Sequence, residues 1–130
     1  MTKRIVLFAL PFLAACATAQ GAPASLGPSE WRFTLIDGTK PVSGEAKLTI
    51  QSDQIGANVG CNGMGGDLKI EGNKLVVGPM ISTKMWCDGV MDQEMDVEQL
   101  LSASPTWQLT GGKLILTSPK HSAELEPAEK

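Results

Sequence analysis

The chain has 130 residues, 42% of them hydrophobic, with 11 basic and 14 acidic side chains and a formal charge of −3. That length holds one domain around a single core. A mild acidic excess with no basic run or basic helix face disfavours nucleic acid, whose binding requires clustered Lys and Arg to displace counterions.

The first segment in chain order reads as a bacterial export signal. Lys3 and Arg4 form a positive n-region, Ile5 to Leu13 an apolar h-region interrupted by Pro11, and Ala14, Ala15 and Cys16 follow. The apolar run is much shorter than the roughly 20 residues a membrane-spanning helix needs. Leu13-Ala14-Ala15-Cys16 resembles the lipobox of bacterial lipoproteins, in which residues 1–15 are removed and the new terminal cysteine carries the lipid. The alternative is cleavage after Ala17-Thr18-Ala19, which predicts a soluble periplasmic protein. With Cys16 lipidated the domain is tethered to a bilayer, because stable anchoring takes at least two signals or chains at about 0.8 kcal/mol per buried methylene. Ala17 stands where an aspartate would follow the cysteine, and among lipoproteins that implies sorting to the outer membrane, facing the periplasm. Loss of Lys3 and Arg4 leaves nine basic residues against fourteen acidic ones, a formal charge of −5. Ala17 to Ser29 is rich in Ala, Gly, Pro and Ser and carries no charge, so residues 16–29 are expected as the lipidated cysteine and a flexible linker. The domain is expected over residues 30–127, with 128–130 as a tail.

Short alternating segments separated by turn residues then predict an antiparallel sheet. Trp31, Phe33 and Leu35 share one face of a first strand ending at Asp37-Gly38, and Ala46, Leu48 and Ile50 share one face of a second. Ile55 to Cys61 is a third, running into the glycine cluster of residues 60–66, and Leu68 to Ile70 a fourth. Glu71-Gly72-Asn73 is a turn, Lys74 to Val77 a fifth strand stopped by Gly78-Pro79. After a helix, Trp107 to Leu109 and Leu114 to Leu116 flank Gly111-Gly112, a hairpin signal because both glycines tolerate positive φ. His121 to Leu125 is a last strand.

The helix is predicted over Val90 to Ala103, with Val90, Val97, Leu100 and Leu101 as its apolar stripe, Asp88 as N-cap and Pro105 as its stop. Glu94 falls within that stripe. A carboxylate there is expected to be hydrogen-bonded or shifted toward its neutral form.

Three features carry candidate chemistry. With Cys16 lipidated, Cys61 and Cys87 remain as an even pair in an oxidising compartment, where a disulfide is expected and two buried free thiols are the alternative. Gly60-Cys61-Asn62-Gly63-Met64-Gly65-Gly66 has neither a Gly-Lys-Ser/Thr ending nor a GxGxxG frame, so its glycines, Gly60, Gly63, Gly65 and Gly66, read as a strand bend or bulge allowing close backbone approach rather than a phosphate cradle. His121 is the only histidine; it is distant from both cysteines, and Cys61, Cys87 and His121 lack the paired short spacings of zinc sites. No catalytic set, metal or cofactor is expected. Trp31, Trp86 and Trp107 are expected as core or rim packing. Met80, Met85, Met91 and Met95 are expected to fill gaps, or else to offer an adaptable apolar surface.

Together Trp31 with Leu35, Gly60-Cys61-Asn62 followed by Gly66, Gly78-Pro79-Met80, Thr83-Lys84-Met85-Trp86-Cys87 and Glu94 resemble the META domain, also called the HslJ-like domain, over roughly residues 30 to 126. Lys84 stands where arginine is common and Leu68 where an aromatic often follows the glycine. The resemblance implies a small, open antiparallel β-barrel of about 7–8 strands with one helix packed across it, and a Cys61–Cys87 disulfide. It also implies a secreted or lipid-anchored envelope protein linked loosely to stress response, drug tolerance, motility or virulence, with a fold similar to lipoproteins that assist secretion pores. On this reading the glycines bend the strand so that Cys61 meets Cys87, and Asn62, Thr83 and Glu94 form a structural polar network. Two partners are expected beyond the membrane: an unidentified envelope protein, or an apolar ligand inside the barrel.

Overall fold

The computed structural model describes residues 26–128, so Cys16, the export signal and the cleavage alternatives lie outside the described residues. Nine strands and one helix follow in the order β1 (Ser29–Ile36), β2 (Lys47–Ile50), β3 (Gln54–Asn58), β4 (Gly63–Glu71), β5 (Lys74–Val77), β6 (Ile81–Ser82), α1 (Met91–Ser102), β7 (Thr106–Thr110), β8 (Lys113–Thr117) and β9 (Ser122–Pro127).

All pairings are antiparallel, and eight strands close a ring in the order β1-β2-β3-β4-β5-β7-β8-β9, with β9 returning to β1. The barrel expected from the sequence is therefore present, and it is closed rather than open. Its narrowest seam lies between β5 and β7, where Lys74 opposite Thr106 is the one register pair. Leu75 N donating to Pro105 O (2.9 Å) and Trp107 N donating to Asn73 O (2.8 Å) complete that seam.

The turns form where small or polar residues accept positive φ. Asp37 (φ 53°) and Gly38 (φ 80°) turn the chain after β1, and Gly111 (φ 59°) and Gly112 (φ 83°) join β7 to β8. In β1 the expected inward trio is broken after Phe33. The register slips between Phe33 and Leu35 opposite β9, a bulge that leaves Leu35 half-buried and turns Ile36 into the core. Ala46, Leu48 and Ile50 of the next inward face are fully buried as expected.

The fourth strand is longer than the sequence suggests. It begins at Gly63, pairs with β3 over Gly63 to Asp67 and with β5 over Leu68 to Glu71, and also receives the short β6 opposite Met64 and Gly65. Gly63, Gly65 and Gly66 are thus strand residues, and the bend expected of all four glycines falls on Gly60 alone, at φ 133°. Close approach explains two of the others. A Cβ on Gly65 would stand 3.2 Å from Ile55 O, and one on Gly66 2.9 Å from Pro79 O.

The interior is filled by side chains. Leu48, Ile50, Leu75, Leu114, Leu116 and Leu125 are fully buried, and α1 adds Val97, Leu100 and Leu101 to the same cluster. Leu26 joins it as well, so the described end of the expected linker belongs to the domain. The helix begins one residue later than predicted, with Val90 rather than Asp88 at the cap position and no side chain capping it. Asp88 is two residues too early, because Gly89 (φ 84°) turns the chain before the helix starts. Asp92 and Glu94 in the first turn still complement the positive end of the helix.

Candidate functional site: a clipped polar network beneath an exposed apolar rim

The turn between β3 and β4 brings the marked residues together. Gly60 is required there twice over: its φ of 133° is open mainly to glycine, and a Cβ would lie 3.2 Å from Val90 Cγ1. The next residue, Cys61, forms a disulfide with Cys87, their Cα atoms 6.1 Å apart. The loop before α1 is thereby tied covalently to the barrel.

Beside the clip, Asn62 is buried and uses the full capacity of its side-chain amide. Its Nδ2 donates to Glu94 Oε1 (2.8 Å) and to Met85 O (2.9 Å), while its Oδ1 accepts from Thr83 Oγ1 (2.7 Å) and Met85 N (2.8 Å). Its backbone N donates to Glu94 Oε2 at 2.6 Å. Glu94, 6% exposed, therefore has both carboxylate oxygens occupied by one residue, and among the described residues no ion pair involves it. The hydrogen-bonded arrangement is the one adopted. No buried side-chain nitrogen or oxygen among the described residues lacks a partner.

Asn62, Thr83 and Glu94 thus meet as the sequence predicts, and Gln93 is a fourth member that the sequence does not mark. Gln93 Nε2 donates to Val59 O (2.7 Å) and its Oε1 accepts from Val42 N (2.8 Å), fixing the helix to the β3–β4 turn and to the β1–β2 connection. Only its place next to Glu94 on a face otherwise apolar could have signalled it.

These bonds hold the Thr83 side chain and the Met85 backbone, and the segment projects apolar side chains outward. Trp86 (74% exposed), Met85 (57%) and Met95 (54%) face solvent around a cleft of about 260 Å³ that Asn62 and Met91 also line, and Ile81 (77%) is exposed on β6. The core or rim role expected for tryptophan holds for Trp31, buried with Nε1 donating to Ser29 Oγ, and for Trp107, packed against the core with Nε1 donating to Gly72 O. It fails for Trp86. Gap filling describes Met80, which packs against the core, but not Met85 or Met95.

Over residues 24–130 the sequence matches the META domain family. The chain belongs to that family. Two solved structures share the META fold seen here. One, an NMR structure of a protein from Burkholderia xenovorans, is 16% identical with a TM-score of 0.66, covering 93% of this chain and all of its own. The other, also an NMR structure, is 17% identical with a TM-score of 0.64, covering 75% of this chain and 87% of its own. At these identities the likeness establishes the fold alone. Among curated proteins none matches.

A second polar cluster lies where the C-terminal half of α1 meets two turns of the barrel. His121 Nδ1 is 2.8 Å from Asp37 Oδ2 and its Nε2 is 2.9 Å from Gln99 Oε1, while Ser122 N donates to Asp37 Oδ1 at 2.9 Å. Burial by itself would raise the Asp37 pKa, but the hydrogen bonds from His121 and Ser122 N, with the nearby imidazole charge, bring it below the usual aspartate value. This histidine, remote from both cysteines in sequence, is the centre of its own site.

Proposed function

We propose that the chain is a non-catalytic lipoprotein of the cell envelope, held through lipid on Cys16 at the outer membrane and facing the periplasm, whose META domain docks onto another envelope protein. The observation that carries this reading is Trp86, 74% exposed on a segment fixed by a disulfide and by Asn62. A large aromatic on a backbone fixed at both neighbours loses less conformational freedom on binding than one on a free loop, and such anchors carry much of the energy of protein interfaces. Met85 and Met95 beside it supply adaptable apolar contact. The chemistry at the clip argues the same way. Cys61 has no free thiol, the Thr83 hydroxyl is committed to Asn62, and each Glu94 oxygen is already bonded to Asn62. A role in envelope stress, secretion or drug tolerance is consistent with such an accessory protein. The reading in which the barrel carries an apolar ligand is disfavoured by an interior occupied by leucine and isoleucine side chains.

A photo-crosslinking amino acid placed at position 86 in the full chain, expressed in its own envelope, tests the docking. A discrete adduct is expected, lost when Ile81 and Met85 are both changed to Ser. Labelling no stronger than from position 69, an exposed control site on β4, would refute it. Intact mass of the membrane-extracted protein tests the anchor: three acyl chains on Cys16 are expected, and an unmodified chain beginning after Ala19 would overturn it.

A further inference from the structure

The structure assigns a divalent transition-metal site to Asp37, Asp96 and His121. One ligand atom from each of the three lies within 4.8 Å of the others, although the residues come from the turn after β1, the middle of α1 and the turn before β9. The set combines one imidazole nitrogen with two carboxylates, whose charges match a doubly charged ion. Imidazole selects ions such as Zn2+ over Ca2+ or Mg2+, which prefer all-oxygen sites.

Two independent features of the geometry favour a ligand here. First, the imidazole is held at both ends: Nε2 lies 2.9 Å from Gln99 Oε1 and Nδ1 2.8 Å from Asp37 Oδ2, so an ion bound at Nδ1 would leave Nε2–H to donate to the Gln99 carbonyl, as the second nitrogen of a metal-bound histidine does. Its backbone is also fixed, with His121 N donating to Ser118 Oγ at 3.1 Å and Ser118 N donating to His121 O at 2.8 Å. Asp37 is oriented from its other oxygen by Ser122 N. Second, Asp96 is half-buried one helical turn before Gln99, close to a second carboxylate, and its own carboxylate makes no hydrogen bond or ion pair among the described residues. Two carboxylates brought together without a cation repel each other.

Binding is a simple exchange. The ion takes the position between Nδ1 and Asp37 Oδ2, bonds to Nδ1, Asp37 and Asp96, and the proton shared by Nδ1 and Asp37 passes to solvent. Gln99 keeps its hydrogen bond throughout. Such an ion would join the middle of α1 to both turns.

Calorimetric titration and thermal melts of the full untagged chain, disulfide intact and stripped of metal, with Zn2+ alone, test the site. One saturable Zn2+ per chain is expected, with a melting temperature raised by about 5 °C or more and restored by EDTA. Asp96→Asn should melt no lower than the parent without metal, because the Asp96 carboxylate has no partner to lose and its repulsion with Asp37 is relieved, and should bind Zn2+ at least tenfold more weakly. Imidazole 15N shifts should show the metal on Nδ1. No heat and no change in melting at about 1 mM Zn2+, equal affinity in Asp96→Asn, or metal on Nε2 would each overturn the assignment.

Discussion

Glu94→Gln is isosteric and removes a buried charge, so on size and polarity it looks conservative; the geometry around Asn62 predicts otherwise. Both donors facing Glu94, the backbone N and Nδ2 of Asn62, point at oxygens, at 2.6 and 2.8 Å. A glutamine offers one oxygen and one NH2, so in either flip one Asn62 donor meets another donor. The loss is one hydrogen bond to a charged acceptor, about 1.5–3 kcal/mol, plus an unsatisfied buried donor, about 1–3 kcal/mol. Relief from burying a carboxylate offsets part of this, leaving roughly 2–3 kcal/mol. For a domain of this size that is a fall of roughly 10 °C in melting temperature. Thermal melts of the oxidised protein read it directly. Emission of Trp86 should shift as well, since Asn62 also holds Met85. A double-mutant cycle with Asn62→Ala should show that the double variant loses less than the two singles combined, because both remove the same contact. A Glu94→Gln melting temperature within about 2 °C of the parent would refute the claim that charge at this position is used for bonding.

Opening the Cys61–Cys87 bond, by reductant or by changing both residues to Ser, frees a loop with a sequence separation of 26 and should cost about 3.5 kcal/mol at 25 °C, measured by urea unfolding of both forms. Gly66→Ala places a Cβ 2.9 Å from Pro79 O and should destabilise by about 1–3 kcal/mol, whereas Gly63→Ala meets nothing within 4 Å and should be neutral or slightly stabilising; paired melts separate the two. The Asp37 pKa is lowered on folding, so its contribution is present above the unfolded value of 3.8 and is lost as pH falls through the lower folded value. Asp37→Asn should accordingly flatten the loss of stability below about pH 4, seen in melts from pH 5 to pH 2.

Turns and strand faces were the most legible part of the sequence, because each is set locally. Gly111-Gly112 and Asp37-Gly38 carry their φ requirement in their own residue types, and Lys74 to Val77 alternates within four positions. What escaped depends on partners remote in sequence. The bulge after Phe33 is fixed by register with β9, some ninety residues away, and β6 exists only because β4 presents a free edge at Met64 and Gly65. Asn62, Thr83 and Glu94 could be grouped by their resemblance to a family pattern. Gln93 could not, since a polar residue beside Glu94 on a helix is ordinarily a solvated one. Asp37, Asp96 and His121 have no shared spacing at all; only closure of the barrel brings them within 4.8 Å.

The attachment of α1 explains why the rim and the core are separable. Its apolar contribution is small, Val97, Leu100 and Leu101, and such burial stabilises without fixing an angle. Direction comes from polar fasteners along its length: Gln93 and Glu94 to the β3–β4 turn, Gln99 to His121, and Ser104 just beyond its end, whose Oγ accepts from Val77 N at 3.0 Å. Hydrogen bonds of this kind weaken steeply with distance and angle, so together they set where the helix lies on the barrel. Met95 sits on that helix, and Met85 and Trp86 on the loop bonded to Asn62 and ended by Cys87. A truncation inside the barrel, such as Leu116→Ala, should therefore lower stability by about 2–5 kcal/mol while leaving the rim in place. Loss of the Asn62–Glu94 contact should instead displace the rim from a barrel that remains folded, and binding through Trp86 should fall further than stability does.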